Sequence, residues 1–327
     1  MIKKILFCFI CVLVGAVFVF SGYTKLGLAA PFSSPIEPFE YTFVDLGFIN
    51  WHVAPFIARF FIGLEFLIGV LLITNLSLRK LAYKLGVLTL LLFSVYLVLL
   101  MIFAGNKGNC GCFGSYIQMT PLQALIKNVI MLAIFLTLNK YHEGWVIPGR
   151  WRLLIIVPFV CAFALPFVLN PISFNYSEAY LNKPDENFKL DLEVLYANAK
   201  QIDSSAEVLV KKQLSEGKHV IAFLSLTCPH CRIAANKIRI IHKRNSHIPF
   251  YFVLNGDEEN LKPFFEDTHT DDIPHCMLVG KDDMGGNYFI SLAGTNMPAI
   301  YLVNSGVVEH DVNYRDLDQG QIEKWMK

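Results

Sequence analysis

Charge is what this sequence has little of. Only 17% of its 327 residues are Asp, Glu, Lys or Arg, against about 25% in an ordinary soluble chain, and this excludes a wholly soluble globule. Cysteine is too sparse for a disulfide scaffold: eight in 327 residues rule out a secreted mini-protein held together by bridges. A second cysteine or histidine pair at zinc-ligand spacing is missing, so no zinc knuckle can be completed and no metal is expected. No stretch repeats at solenoid or propeller spacing, and no low-complexity tract occurs. The carboxyl half has no clustered basic face, which argues against a nucleic-acid partner.

What is present in quantity is apolar sequence. A helix needs about 20 apolar residues to cross a hydrocarbon core. Such runs occur at about Ile5 to Phe20, Val53 to Leu76, Leu81 to Ala104, Leu122 to Leu138 and Leu153 to Leu169. The first, behind Lys3 and Lys4, fits either a cleavable signal or a first membrane helix. The helix is preferred because no small-x-small site directly follows the run, although "GLAA" at Gly27 to Ala30 keeps cleavage open. The total charge of +1 hides two unlike halves. Residues 1–174 hold 12 Lys+Arg against 5 Asp+Glu, or +7, and residues 175–327 hold 16 against 22, or −6. Lys3, Lys4, Arg79, Lys80, Lys84, Lys140, Arg150 and Arg152 fall at ends sharing one side. By the positive-inside rule that side is cytoplasmic, and five spans put the carboxyl half outside. The expected location is therefore a bacterial inner membrane, with a periplasmic carboxyl domain. The outer connection Gly22 to His52, rich in Pro and aromatics, suits a segment lying on the bilayer surface.

The soluble half alternates element types. A helical spacing runs from Leu192 to Leu214, followed by the apolar "HVIAFLSLTCPHC", a helical stretch about Arg232 to Lys243 and a strand-like Ile248 to Asn255. Then come a short helix "NLKPFFEDT", strand-like runs at Met277 to Val279, Met297 to Val303 and Val307 to Val312, and a closing helix. This is the mixed α/β pattern of one domain.

Cys228, Pro229, His230 and Cys231 stand between an apolar strand and a helix, so the first sulfur falls at a helix amino terminus. Unpaired N–H groups and the dipole there stabilise a thiolate. Cys228 is the expected attacking cysteine and Cys231 the buried resolving one. Pro229 suits the first helical turn, and His230 adds a hydrogen-bonding or positive group. A structural disulfide or metal knuckle is the competing interpretation. With the CPHC run and "NMPAIYLVNSG", the carboxyl half resembles a thioredoxin-like domain. That resemblance implies that Pro298 is the cis-proline facing the active-site cysteines, with Met297 its neighbour.

A second pair, Cys110 and Cys112, lies in "CGCFG" on the outer side. Cysteines one residue apart can close only a strained ring, and strain makes a disulfide labile and oxidising. Gly111 would relieve part of it by adopting positive φ. Free thiols in a glycine turn are the bland alternative. Through "SGYTKL", "ARFFIGLEFLIG" and "NCGCFG" the first four segments resemble the MauE branch of the DoxX-like membrane proteins, a four-helix bundle. That family is implicated in maturing a disulfide-rich enzyme subunit, which implies periplasmic thiol chemistry. The expected architecture is an α-helical membrane bundle, four-helix DoxX/MauE-like plus a fifth transmembrane helix, followed by an α/β thioredoxin-like domain. Its divisions are residues 1–140, 141–174 and 175–327.

Glu65 falls about 18 Å of helix from the outer end of its span, where a carboxylate costs several kcal/mol and needs a partner. Lys127 and Arg59 are the candidates. A proton-coupled quinone or dithiol site and a structural ion pair are the two readings of it. His52 at the outer end of its span could touch a quinone headgroup. Cys8, Cys11 and Cys161 read as packing, and Cys276, near His269, Asp271, Asp272 and His275, as a buried thiol beside a polar loop. No histidine pair lies inside the spans, which ranks a haem-bearing subunit last. The expected activity is thiol–disulfide exchange on periplasmic cysteine-containing proteins through the CPHC site, relayed to Cys110 and Cys112. No covalently bound cofactor is expected, and a quinone is the candidate acceptor. The alternative is a non-catalytic assembly factor with the thioredoxin-like domain as binding module.

Overall fold

The computed structural model describes residues 2–28, 35–45, 47, 49–106, 110–145, 156–172, 191–200, 210, 214–278, 280, 286–294 and 297–327. The chain forms two compact units, Met1–Ser173 and Phe174–Lys327. The expected connector at Asn175 to Phe188 lies outside the described residues.

The first unit is helical. Among the described residues, four helices have the length and apolar composition to cross a membrane: α1 (Ile2–Thr24), α3 (Ala54–Ile73), α4 (Tyr83–Ala104) and α5 (Pro121–Tyr141). Pro55 sits in the first turn of α3, where its missing N–H costs nothing. Thr120 caps α5 in a reciprocal capping box with Gln123, and Pro121 opens the helix. A π-helical turn, Leu78–Ala82, leads into α4. α1 packs along α3 and α4 along α5. At the α1–α3 crossing an added Cβ on Gly15 would stand 2.8 Å from the Gly69 carbonyl, and one on Gly69 would stand 2.9 Å from the Gly15 carbonyl. Only glycine lets the two backbones come this close.

The first outer connection contains a helix, α2 (Glu37–Asp45), which buries Phe39, Tyr41 and Val44 and packs on α3. It is therefore a part of the bundle as well as the expected non-linker. The described part of the fifth segment is a helix, α6 (Ile156–Leu169), of 14 residues. It lies against α3, where Phe163 covers Gly63 and its ring stands 5.3 Å from that of Phe60. Residues 153–155 of that segment lie outside the described residues. A short strand, β1 (Cys112–Ser115), lies between α4 and α5.

The second unit is built on a six-stranded sheet of order β2-β5-β4-β3-β6-β7. Its strands are β2 (Ala199–Lys200), β3 (Lys218–Ser225), β4 (Phe250–Asn255), β5 (His275–Leu278), β6 (Ala299–Asn304) and β7 (Val307–Val312). β3, β4 and β5 run parallel, while β6 and β7 are antiparallel additions and β2 an antiparallel edge. Val220 to Leu224 of β3 are all fully buried. Successive strand residues face opposite sides, so both faces of the sheet are covered. Ile221 and Phe223 join Leu192, Leu195, Phe289 and Leu292 on one side. α8 (Pro229–Arg244) packs on β3, beside α9 (Leu261–Thr268). α7 (Leu192–Asn198) and α10 (Tyr288–Ala293) pack together, and α11 (Gln319–Met326) closes the chain. The helix expected from Leu192 to Leu214 ends at Asn198, because Ala199 turns extended and pairs with Leu278 on β5. Residues 201–209 and 211–213 lie outside the described residues.

Candidate functional site

β3 ends at Ser225, and the chain reaches α8 within four residues. Cys228 is the N-cap of α8, with Pro229 in its first turn, and is half-buried. Its sulfur thus stands at the positive end of the helix dipole. Cys231, one turn into α8, is fully buried and accepts the Ser225 backbone N–H at 3.3 Å. Burial pushes the Cys231 thiol above the ordinary thiol range, with the Ser225 N–H acting against it. The His230 ring packs at 6.1 Å from that of Tyr314. The turn carrying Tyr314 is held to α8 by Lys237, whose buried Nζ donates to the Tyr314 and Arg315 carbonyls at 3.1 and 2.7 Å.

The Met297–Pro298 peptide bond is cis. Phe223 of β3 pairs with Ala299 of β6, so Pro298 enters the sheet at the end of β3 from which the CPHC turn departs. The structure therefore brings Cys228, His230, Cys231 and Pro298 to one edge of this unit.

In the membrane unit Cys110 is buried and Cys112 is half-buried, joined by Gly111 at φ +72°. That backbone conformation favours glycine. The Cys110 N–H donates to Met119 at 2.8 Å, and the Gly114 N–H to Gly111 at 3.1 Å, closing a tight turn. The two thiols hydrogen-bond each other, which lifts Cys110 well above the thiol range and lowers Cys112 to about 6. Lys127 and Lys25 add to the lowering at Cys112, against its desolvation.

Glu65 takes a partner that neither candidate anticipated. Lys25 Nζ donates to its Oε1 and Oε2 at 2.7 and 2.8 Å and to Ser21 Oγ at 3.0 Å, with Lys25 only 1% exposed. The Ser21 hydroxyl lies 3.0 Å from both Glu65 Oε1 and the Cys112 carbonyl, and its single proton serves one at a time. Arg59 pairs instead with Glu40 at 2.6 Å and donates to the Asn170 and Pro55 carbonyls. Six residues along α3 from Glu65 amount to about 240° of rotation, so Arg59 points elsewhere. Lys127 stands 4.7 Å over the Phe113 ring. Ser21 and Lys25 were the missed residues; their i, i+4 spacing directly after an apolar run was the available signal.

A cavity of about 320 Å³ opens among these groups, lined by Lys25, Glu65, Cys110, Cys112 and Lys127 with aromatic and aliphatic walls. Cys8, Cys11 and Cys276 take packing positions, whereas Cys161, expected to pack, does not. Cys11 lies 3.4 Å from the Tyr83 hydroxyl and Cys8 lies 3.8 Å from His142 Nε2. Cys161 is exposed. Cys276 is fully buried on β5, where its thiol hydrogen-bonds Tyr251.

Residues 3–139 match the family described as methylamine utilisation protein MauE. Over these residues the chain is similar to that family, and its second unit is the six-stranded mixed α/β domain. The family match spans α1 to α5 and includes the Cys110/Cys112 turn. Protein TlpB of Flavobacterium psychrophilum is 28% identical, over 85% of this chain and 86% of its own length. The thioredoxin domain of a thiol-disulfide oxidoreductase from Bacteroides vulgatus is similar at 19% identity, covering 39% of this chain and 92% of that one, with a TM-score of 0.33. A secreted Mycobacterium tuberculosis disulfide oxidoreductase, described as homologous to DsbE of E. coli, matches at 15% identity over 41% and 96% of the two chains, with a TM-score of 0.29. The MauE-like domain makes this a multi-pass membrane protein.

Proposed function

We propose that this MauE-like protein is a membrane-anchored thiol–disulfide oxidoreductase whose CPHC pair exchanges with cysteine-containing proteins and is served by the Cys110/Cys112 pair. The observation that carries it is the asymmetry of the two CPHC sulfurs: Cys228 is half-buried at a helix amino terminus, and Cys231 is fully buried one turn behind it. That is the arrangement an attacking and a resolving thiol require.

In the oxidising direction, a substrate thiolate attacks Cys228 of the Cys228–Cys231 disulfide and releases Cys231. A second substrate thiolate then takes the mixed disulfide, leaving the CPHC dithiol and an oxidised substrate. Cys228 thiolate next attacks the Cys110–Cys112 disulfide, and Cys231 resolves that intermediate. Two electrons thereby pass to the membrane pair, whose acceptor is a quinone. Orientation follows the basic loops: amino terminus in the cytoplasm and the thioredoxin-like domain in the periplasm.

A Cys231→Ser variant should accumulate a mixed disulfide on Cys228 in cells, and the attached protein names the client. A Cys228→Ser variant that still supports client maturation at the wild-type level would leave the assembly-factor reading in its place. An impermeant thiol reagent applied to intact spheroplasts should label Cys112 after reduction; protection until lysis would reverse the orientation.

A further inference from the structure

The roughly 320 Å³ cavity lies between the α1–α3 pair and the α4–α5 pair, at the lower end of the ~300–1,000 Å³ range of small-molecule pockets. Its walls are mostly apolar, and what interrupts them is informative. Thr89 of α4 lines the cavity, is 1% exposed, and its hydroxyl has no hydrogen-bond partner. A buried hydroxyl left without a partner is destabilising, so the orphan donor calls for an acceptor supplied by an occupant. Lys127 brings an ammonium group to the same space and makes no ion pair among the described residues. Cys112 supplies a thiol to it. Val17 and Leu92 line the cavity and are also 39% and 50% exposed on the outer surface of the helices, so its wall reaches the face that lipid covers.

An occupant suited to these walls is apolar in body, arrives from the bilayer, carries acceptor oxygens for Thr89 and Lys127, and meets a dithiol. We propose that the cavity is a binding site for a lipid-soluble quinone, which oxidises the Cys110/Cys112 pair while Thr89 and Lys127 donate hydrogen bonds to its oxygens. This rests on the preceding reading, in which that pair cycles between dithiol and disulfide. In the step, the Cys110 S–H bond is lost and one S–S bond forms, Cys112 entering as the thiolate. Two electrons, the Cys110 proton and one proton taken up from water pass to the quinone, whose carbonyl oxygens become the hydroxyls of a quinol that leaves for the bilayer. The Lys127 cation stabilises the negative charge that develops on the ring oxygen during transfer. Thr89 is a positioning residue for the ring.

The test uses the full chain, reduced, in phosphatidylcholine nanodiscs with decylubiquinone. Quinol is read by absorbance and thiol state by alkylation mass shift. Wild type should form one quinol per disulfide with saturation kinetics. Thr89→Val, which keeps the side-chain shape, should raise KM about 10-fold, the worth of one hydrogen bond of ~1.4 kcal/mol, with kcat nearly unchanged. Lys127→Met should lower kcat. Non-saturating oxidation that is equal in both variants and in Cys112→Ser would make the cavity a lipid-tail slot and overturn the proposal. Exchange between the CPHC dithiol and the Cys110–Cys112 disulfide is measured separately without quinone. Its failure alongside saturable, Thr89-sensitive quinol formation would remove the relay and leave the quinone site standing.

Discussion

Lys25 and Glu65 close a buried ion pair across 40 residues of sequence, with Nζ 2.7 and 2.8 Å from the two carboxylate oxygens. The third ammonium donor goes to Ser21 Oγ, and the cation also stands 4.8 Å over the Phe39 ring. Every donor of Lys25 is therefore used. The pair ties the end of α1 to the middle of α3, and Ser21 carries the tie on to the carbonyl of Cys112. Of the two readings of Glu65, a proton-coupled quinone or dithiol site and a structural ion pair, these contacts are those of the ion pair.

Breaking one side of that network should cost more than removing it. Lys25→Met leaves an uncompensated carboxylate among apolar residues and should destabilise the membrane unit by about 3–5 kcal/mol. Lys25→Met combined with Glu65→Leu should recover most of the loss, because neither charge is then stranded. Melting of the full chain in detergent measures both. Equal stability of the single and double variants would show that the pair contributes nothing to holding α1 against α3.

The two CPHC thiols should differ in reactivity in the folded, reduced protein. Cys228 is half-buried at the start of α8, whereas Cys231 is fully buried under the Ser225 N–H with its thiol held protonated by desolvation. Iodoacetamide at neutral pH should modify Cys228 first and Cys231 only after denaturation. Mass spectrometry of timed digests reads the order, and simultaneous labelling would contradict the assignment of attacking and resolving roles.

In the membrane pair the asymmetry is one of ionisation. The Cys110 thiol donates to Cys112, and Lys127 and Lys25 stand nearby, which holds the Cys112 pKa below the ordinary thiol range, at about 6. A lowered pKa places the thiolate above that pH. The alkylation rate of Cys112 should therefore climb through pH 6 and level off, while an ordinary thiol keeps climbing to about 8.5. Lys127→Met removes one stabilising cation and should move the midpoint upward. An unaltered midpoint would mean that the Lys127 charge does not reach the sulfur.

Local signals make much of this architecture readable in the sequence. Pro229 behind Cys228 marks the helix start, and the strand-like apolar run to Asn255 marks β4, because both are written within a few consecutive residues. The cis bond before Pro298 came instead through the resemblance carried by "NMPAIYLVNSG". What escaped depends on residues distant in sequence. The partner of Glu65 is one such feature: helical position fixes which way Arg59 points, but not that α1 brings Lys25 across. Thr89 offers no sequence signal at all: a threonine inside an apolar run is ordinary until the packing of α4 against α5 leaves its hydroxyl facing a void. The break after Asn198 was hidden because apolar spacing that serves a helix also serves a short edge strand pairing with β5.

The α1–α3 crossing offers a test of how packing controls the dithiol from a distance. A Cβ on Gly69 would meet the Gly15 carbonyl at 2.9 Å and the Val19 amide at 3.0 Å. These are backbone atoms, which cannot rotate away as a side chain would. Gly69→Ala must then push α1 from α3, at an overpacking cost of about 1–3 kcal/mol. Ser21 and Lys25 ride on α1 and its end, and Glu65 rides on α3, so the same displacement loosens the ion pair and withdraws Lys25 from the neighbourhood of Cys112. Gly69→Ala should therefore lower the melting temperature and also raise the pH midpoint of Cys112 alkylation, although no atom of residue 69 lines the cavity. A lower melting temperature with an unmoved midpoint would show that the crossing and the dithiol are mechanically independent.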